Sequence, residues 1–478
     1  MAQLALGKIL LEDTADPATR EEGGGWVARA AESGLPEAQF RAAILRCQGR
    51  GEDWYDEQTL RWFRLAAGAG QIEAQYEAGR RLVSGDSPED HREGLEWIRK
   101  ASEAGHPGSR LLLALHLLET PDTTEEGIHW LTAAAEGGVP EAEALLGRFY
   151  LEGDRVVPDP VRGLEWTRRA AENGNPEAQL RLGILYQEDP DLNSPEEALA
   201  WIRRAAETGI PEAQFRLGIH YLDNRTGETD SESGIHWLQM AVAGGHPQAA
   251  FRLGLILEAG DRMDSDRPAA IGLYRVAAEK GHPDAQLRLG TLLSEGESGD
   301  LQKEGFSWTE KAALSGLPEA QLRLGLLHLE GKGTPRNEGE GVHWIRRAAE
   351  QGLAEAQCRL GLMLRTGRGL FPSDPGEAAL WFRKAALQDD AEAQYNLGIM
   401  TLEGQGVPQD ASEAAHWLSM AAETGHPQAQ YILGVLYRNG RGVPQDPEQA
   451  LQWFRKAANQ RVVQAREALR DLQDSPRR

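Results

Sequence analysis

The chain has 478 residues, 26% charged and 40% apolar, with 13 Trp and 54 Gly, which supplies a buried core and argues against a disordered chain. Its 51 Lys and Arg stand against 74 Asp and Glu, and the resulting net charge of -23 disfavours non-specific binding to nucleic acid or anionic membrane and favours neutral or basic partners. Two cysteines, Cys47 and Cys358, are too few for a disulfide framework or a Cys-based structural metal site, and no run approaches the roughly 18 apolar residues of a membrane span.

The first residues, MAQLALGKILLEDT, carry a single Lys, a short apolar stretch and no small-residue cleavage pattern, so they do not read as a signal peptide. A cytoplasmic location is the expectation, with the periplasm or the outside of the cell as the alternative for a chain whose leader was removed. From the same point a period runs through the sequence. Phrases such as AQLRLGILY (178–186), AQFRLGIHY (213–221), AQLRLGLLH (320–328) and AQYNLGIMT (393–401) are variants of one another. With their Ala as position 1, repeats begin at Ala2, Ala38, Ala74, Gly108, Ala142, Ala178, Ala213, Ala249, Ala285, Ala320, Ala356, Ala393 and Ala429, spaced by 34 to 37 residues. A second phrase, WIRRAAETGIPEA at 201–213 for example, places twelve of the 13 Trp at one position; Leu273 takes that place in repeat 8, and Trp54 alone falls in a loop.

Each repeat therefore predicts two helices. Helix A carries Leu at position 5, Gly or Ala at 6 and Tyr, Leu or His at 9, an apolar stripe of helical spacing. A Gly inside a helix costs about 1 kcal/mol against Ala, so Gly183, Gly254, Gly290 and their equivalents imply close approach of a neighbouring helix. Helix B carries the Trp and an Ala-Ala pair and stops at Gly174, Gly209, Gly245 or Gly281, where a left-handed cap is expected; Pro176, Pro211, Pro247 or Pro283 then suits the first turn of the next helix A. The segment from 464 to 478 reads as a polar capping helix and short tail behind thirteen repeats over 2–463, the whole predicted as one continuous array.

These phrases resemble the Sel-one-like repeat family, relatives of tetratricopeptide repeats, over nearly the whole chain. The family's loop between helices stands almost unaltered as GQGVPQD (404–410) and GRGVPQD (440–446) and is eroded to GKGTPRN at 331–337. Repeats 3, 4 and 8 depart most; Gly108-Ser109 replaces AQ in repeat 4. The resemblance implies an all-α fold, a right-handed α/α superhelical solenoid of about thirteen helix pairs plus a C-terminal capping helix.

The sharpest pattern beyond architecture is an arginine ladder at position 4: Arg181, Arg216, Arg252, Arg288, Arg323 and Arg359 in six consecutive repeats. At 100° per residue, position 4 lies some 100° from position 5 and about 60° from position 7, so it flanks the surface opposite the packing stripe; the resemblance makes that surface the lining of a concave groove. Glu177, Glu212, Asp284, Glu319 and Glu355 at position 0 allow i,i+4 pairs, worth a few tenths of a kcal/mol each, as a purely helix-stabilising reading of the ladder. Ile184, Ile219, Leu255 and Leu326 at position 7, edged by Glu188, Asp223, Glu295 and Glu330 at position 11, serve either as inter-repeat core or as an apolar strip suited to an amphipathic helix or extended peptide.

Glu126 with His129 and Glu413 with His416 have the i,i+3 spacing of bundle metal sites, but each pair gives two ligands only, and an exposed helix position is the plainer reading. His106, His246, His282 and His426, each before a Pro, read as turn residues. No phosphate-binding glycine motif or nucleophile elbow appears. No catalytic residue, cofactor or metal is expected. The chain is expected to be a non-enzymatic scaffold or adaptor that binds a protein or peptide along its concave face. The acidic loops 12–22, 84–93 and 223–233 favour a basic partner, as in an immunity or chaperone role against a cationic bacterial effector. A structural spacer self-associating through an uncapped amino-terminal repeat is the alternative, against a monomer or weak self-association for a groove binder; a hydrolase or metal-dependent enzyme is the remaining rival.

Overall fold

The computed structural model describes residues 1–12, 17–48, 55–85, 87–189, 194–223, 230–260, 265–367 and 372–474. Trp54, parts of the three acidic loops and the last residues of the tail lie outside the described residues. Among the described residues there are 27 α-helices, one 3-10 turn at Pro121–Thr123 and no strand. Helices A and B alternate along the sequence as a repeat solenoid, from Ala2–Glu12 and Pro17–Glu32 in repeat 1 to Pro427–Asn439 and Pro447–Asn459 in repeat 13, followed by Val463–Asp474. The chain divides into two compact bodies, Met1–Asp230 and Ser231–Arg478, the division falling between the two helices of repeat 7.

Repeat 10 shows why the sequence folds this way. Pro318 opens helix A (Pro318–Glu330), where its missing N–H is not needed, and Gly331 ends it with φ 70°, donating to the Leu327 carbonyl. Asn337 then caps helix B (Glu338–Glu350), accepting from the Glu340 amide at 3.1 Å. Gly352 takes φ 100° past the end of helix B, as Gly174, Gly209, Gly245 and Gly281 do at theirs, with φ between 82° and 99°. Gly325 has the packing reason its position demanded: a Cβ there would lie 2.7 Å from the Gly341 carbonyl and from the side chain of Ile345 on helix B. The residue after the Trp position meets this glycine again in Gly183 against Ile202, Gly254 against Tyr274 and Gly434 against Phe454.

The Gln of the AQ phrase is the second fastener. Gln39, Gln75, Gln179, Gln214, Gln286, Gln321, Gln357, Gln394 and Gln430 are buried, and each donates from Nε2 to the carbonyl of an Ala eight residues earlier, at 3.1–3.3 Å. That carbonyl belongs to the last turn of the preceding helix B, which has no partner of its own within the helix. Repeat 5 has Glu143 instead; it is fully buried and pairs with Arg169 at 2.6 Å and with Asn173 at 2.8 Å. The Ala-Ala pairs and the Leu at position 5 fill the core, and Trp166 and Trp201, partly buried, pack against its clusters.

Candidate partner-binding surface

Two cavities show which helix-A positions face open space. In the amino-terminal body a cavity of about 690 Å³ is lined by Glu141, Ala144, Leu145 and Arg148 of helix A Pro140–Glu152 and by Glu177, Leu180, Arg181, Ile184, Leu185 and Glu188 of helix A Pro176–Glu188, with Thr167 and Asn175 at its margin. In the carboxy-terminal body one of about 440 Å³ is lined by Phe251, Asp284, Leu287, Arg288, Thr291, Glu319, Leu322, Arg323, Leu326 and Glu355. The same positions recur, namely 0, 3, 4 and 7, with 11 at the C-terminal edge in the first. Within each body, then, the helix-A face carries half-exposed apolar side chains between carboxylates, with arginines among them.

The six ladder arginines do not share one arrangement. Arg216 pairs with Glu212 at 2.5 Å and Arg359 with Glu355 at 3.5 Å, the i,i+4 contacts expected from spacing. Arg181 passes over Glu177 and reaches Glu152 of the preceding repeat at 2.9 Å. Arg288 forms a two-pronged pair with Glu258, also of the preceding repeat, at 3.0 and 2.5 Å. Burial raises the Glu258 carboxyl, but the bonds from Arg288 and from the Tyr274 hydroxyl outweigh it and hold its pKa below the usual range. Arg252 is exposed and makes no ion pair among the described residues, and the buried Nε of Arg323 has no hydrogen-bond partner.

The apolar strip resolves in the same way. Ile184, Ile219, Leu255 and Leu326 are all half-buried, and Ile184 and Leu326 line the cavities. Glu188 and Glu330 are exposed at the ends of their helices, Asp223 caps the end of its helix, and Glu295 pairs with Arg267 at 3.4 Å. Of the predicted groove residues, Arg181, Ile184 and Glu188 line the first cavity and Arg288, Arg323 and Leu326 the second, whereas Asp223 and Glu295 stand just past the ends of their helices; their contacts are local and do not join them as one site.

Three features escaped the sequence reading. The histidines before the Pro are helix caps and not merely turn residues: Nδ1 of His106, His246, His282 and His426 accepts from the amide three residues on, at 3.0–3.3 Å. Three of these rings also lie against the aromatic at position 3 of the preceding helix A, Tyr76 on His106, Phe251 on His282 and Tyr395 on His426, with centroids 4.4, 4.8 and 4.6 Å apart. The alternation of aromatic and His at this spacing was a legible signal.

The third feature is a ladder on helix B. Arg64, Arg99, Arg346 and Arg383, each two residues after the Trp, bind Glu93, Glu126, Glu377 and Glu413 of the following helix B at 2.6, 2.7, 2.9 and 2.7 Å; Arg275 binds Glu304 in the same way. Each acceptor Glu lies four residues before its own Trp and takes that indole N–H as well, at 3.1–3.3 Å. The hydrogen bond from Arg99 holds Glu126, and that from Arg275 holds Glu304, below the usual carboxylate range. Glu126 and Glu413 are therefore committed to arginines rather than to His129 and His416. Among the described residues no group of three or more His, Cys, Asp or Glu is placed to hold a metal ion, and no helix is long and apolar enough to cross a membrane.

The Sel1 repeat family model matches residues 36–71, 72–106, 119–139, 140–175, 176–209, 211–246, 247–282, 283–317, 318–353, 354–390, 391–426 and 427–462. It passes over the helix A of repeat 4, where Gly108-Ser109 stands in place of AQ. Among curated proteins none matches the chain. Among solved structures, c5321, a protective antigen present in uropathogenic Escherichia coli strains and displaying an SLR fold, is 30% identical with a TM-score of 0.78, covering 87% of this chain and 90% of its own. A Sel1 repeat protein from Oxalobacter formigenes is 31% identical with a TM-score of 0.53, covering 68% of this chain and 93% of its own. Twelve matched repeats, the glycine contact between helices A and B and the overlap with solved relatives make this chain a member of the Sel1 repeat family.

Proposed function

We propose that the chain is a non-enzymatic scaffold that holds a protein partner against its helix-A face, and that the partner presents basic and apolar side chains together. Sel1 repeat solenoids are in general scaffolds for protein–protein interaction, typically without an enzymatic activity of their own. The observation that carries the finer reading is the state of the carboxylates around the cavities. Glu141, Glu177 and Glu188 in one body and Glu319 in the other are exposed beside apolar side chains and make no ion pair among the described residues. Charges left unpaired beside apolar surface steer and select a partner of opposite sign more than they stabilise the fold.

The test is quantitative affinity capture from native lysate, comparing wild type with a Glu177→Lys, Glu188→Lys, Glu319→Lys variant shown to be folded. A protein retained by wild type and lost by the variant supports the reading. Equal retention of every captured protein overturns it and transfers the binding role to the loops and helix-B face.

A further inference from the structure

The larger cavity has a specific origin in the sequence. At position 3 of helix A most repeats place a large side chain, among them Phe40, Tyr76, Leu180, Phe215, Phe251, Leu322, Tyr395 and Tyr431, whereas repeat 5 has Ala144. The residue that would face it across the junction, a His in the stacked pairs Tyr76–His106, Phe251–His282 and Tyr395–His426, is Asn175. Asn175 keeps the cap, accepting from the Ala178 amide at 2.8 Å, but supplies no ring. Both halves of a stacked pair are thus missing at one junction, and both small residues line the cavity of about 690 Å³, within the ordinary size range of a binding pocket. Its floor is Leu145, Leu180 and Ile184; Leu145 stands where six later repeats have Arg, which makes this stretch the more apolar.

The rim has the opposite character. Arg181 is neutralised by Glu152, so of the charges lining the cavity Glu141, Glu177 and Glu188 face Arg148 alone. The geometry points to this junction as a socket for an amphipathic, basic helix of a partner protein, an aromatic or large aliphatic side chain filling the place of the missing ring pair while flanking Lys or Arg side chains meet the three carboxylates. This rests on the scaffold reading above and names the chemistry of the occupant. An apolar anchor in a pocket ringed by polar contacts is the arrangement that concentrates binding energy at protein interfaces, and a helix laid in a groove presents such anchors on one face.

The probe is a dye-labelled synthetic amphipathic helix of leucine and lysine with one central tryptophan, titrated by fluorescence anisotropy. The decisive variant is Ala144→Tyr with Asn175→His, which rebuilds the pair found at three other junctions and leaves the carboxylates in place, so general attraction to an acidic protein is unchanged. Its affinity for the probe is expected to fall at least about tenfold, as is that of a Glu141→Gln, Glu177→Gln, Glu188→Gln variant, which should also lose much of the salt dependence. The same probe with glutamate in place of lysine should not bind.

A probe carrying a photo-crosslinking phenylalanine in place of its tryptophan guards against a misfolded double variant, since with wild-type protein it should attach within 140–152 and 176–188. Equal affinity of the filled variant, attachment elsewhere, or no binding of the lysine probe would each overturn the socket. Those results leave the scaffold reading to stand on lysate capture, where a partner lost by the Glu177, Glu188, Glu319 variant but kept by the filled variant would separate the two.

Discussion

On the helix-B face, Arg64, Arg99, Arg275, Arg346 and Arg383 all make the same bond, to a Glu of the following repeat that also holds a Trp. On the helix-A face, Arg181, Arg216, Arg252, Arg288, Arg323 and Arg359 divide among a preceding repeat, their own helix, and no ion pair among the described residues. The sequence would rank them the other way, because the A ladder runs through six consecutive repeats and the B ladder is interrupted. At the B position five arginines tie repeat to repeat through one kind of bond, while Arg168 and Arg203 reach the Tyr186 and Tyr221 hydroxyls instead. That recurrent bond marks the B ladder as mainly structural, whereas on the A face an arginine without an ion pair among the described residues, such as Arg252, is the one expected to be dispensable to the fold.

Both faces depend on helices A and B lying close, so the largest effect should come from the glycine between them. A Cβ on Gly290 would lie 2.4 Å from Thr309 Oγ1 and 2.8 Å from the Gly305 carbonyl, both on the facing helix. Gly290→Val should cost about 3 kcal/mol or more, since neither backbone nor a buried Thr can withdraw cheaply. Urea unfolding of the variant reads this, and a loss below about 1 kcal/mol would show that the two helices separate easily.

The next effect distinguishes the ladders. Arg64 binds Asp90 at 2.9 Å and Glu93 at 2.6 Å, so Arg64→Glu sets three carboxylates together beside Trp97. The pair is only partly buried, and a loss of about 1 kcal/mol in thermal or urea unfolding is expected. The B ladder is structural only if this loss exceeds that of the equivalent reversal on the A face.

How far such differences were legible depends on whether a residue acts within its repeat or between repeats. The helix pair, the Gly contact, the left-handed caps and the Pro starts are local, and the period alone exposes them. Which Glu an Arg reaches is decided by side chains some thirty residues apart, and Arg181 and Arg288 pass over the acid four residues before them for one on helix A of the preceding repeat. The B ladder nevertheless left a trace. Arg at the first position is followed by Glu at the second in Arg64 and Glu93, Arg275 and Glu304, and Arg346 and Glu377, whereas Ala28, Thr132, Gln239 and Ser419 are followed by Gln58, Arg162, Ala269 and Gln449; Arg203 before Ser233 and Glu310 before Glu340 break the pattern. Arg168 and Glu197 fit the pattern, but Arg168 donates to the Tyr186 hydroxyl instead. The cavity escaped the sequence reading because it arises from what Ala144 and Asn175 lack, and a search for recurring residues finds presence before absence.

The histidine caps add a pH dependence at milder acidity than that of the ladder carboxylates Glu126, Glu258 and Glu304, whose pKa values are held below 4.5. His282 must be unprotonated at Nδ1 to accept from the Ala285 amide at 3.3 Å, and burial lowers its pKa from 6.5 against the opposing pull of Asp284; His246 lowers it further. His106 behaves alike, lowered by burial with Glu73 and Glu77 pulling it up. A pKa below the unfolded value means that the stabilisation is complete above pH 6.5 and is lost as pH falls through the folded value. Melting temperature should therefore fall between neutral and mildly acid pH, and His282→Asn with His106→Asn, which keep an acceptor at the cap, should flatten that part of the profile. At neutral pH the cap itself is worth about 1 kcal/mol or less. An unchanged profile in the double variant would place the acid sensitivity elsewhere.

The smallest effect on stability is the one that most sharpens the contrast. Arg252 makes no ion pair among the described residues and is exposed, so Arg252→Glu should change the unfolding free energy by less than about 0.5 kcal/mol. Arg288→Glu, by contrast, would set a second carboxylate against Glu258 and the Tyr274 hydroxyl and should be measurably worse. If Arg252→Glu proves as damaging as Arg64→Glu, the A ladder supports the fold through contacts beyond those described and its irregular bonding has no functional meaning. If it is silent in unfolding yet alters what the protein retains in affinity capture, the six arginines recur for the sake of a partner, and the two ladders divide between them the tasks of building the array and using it.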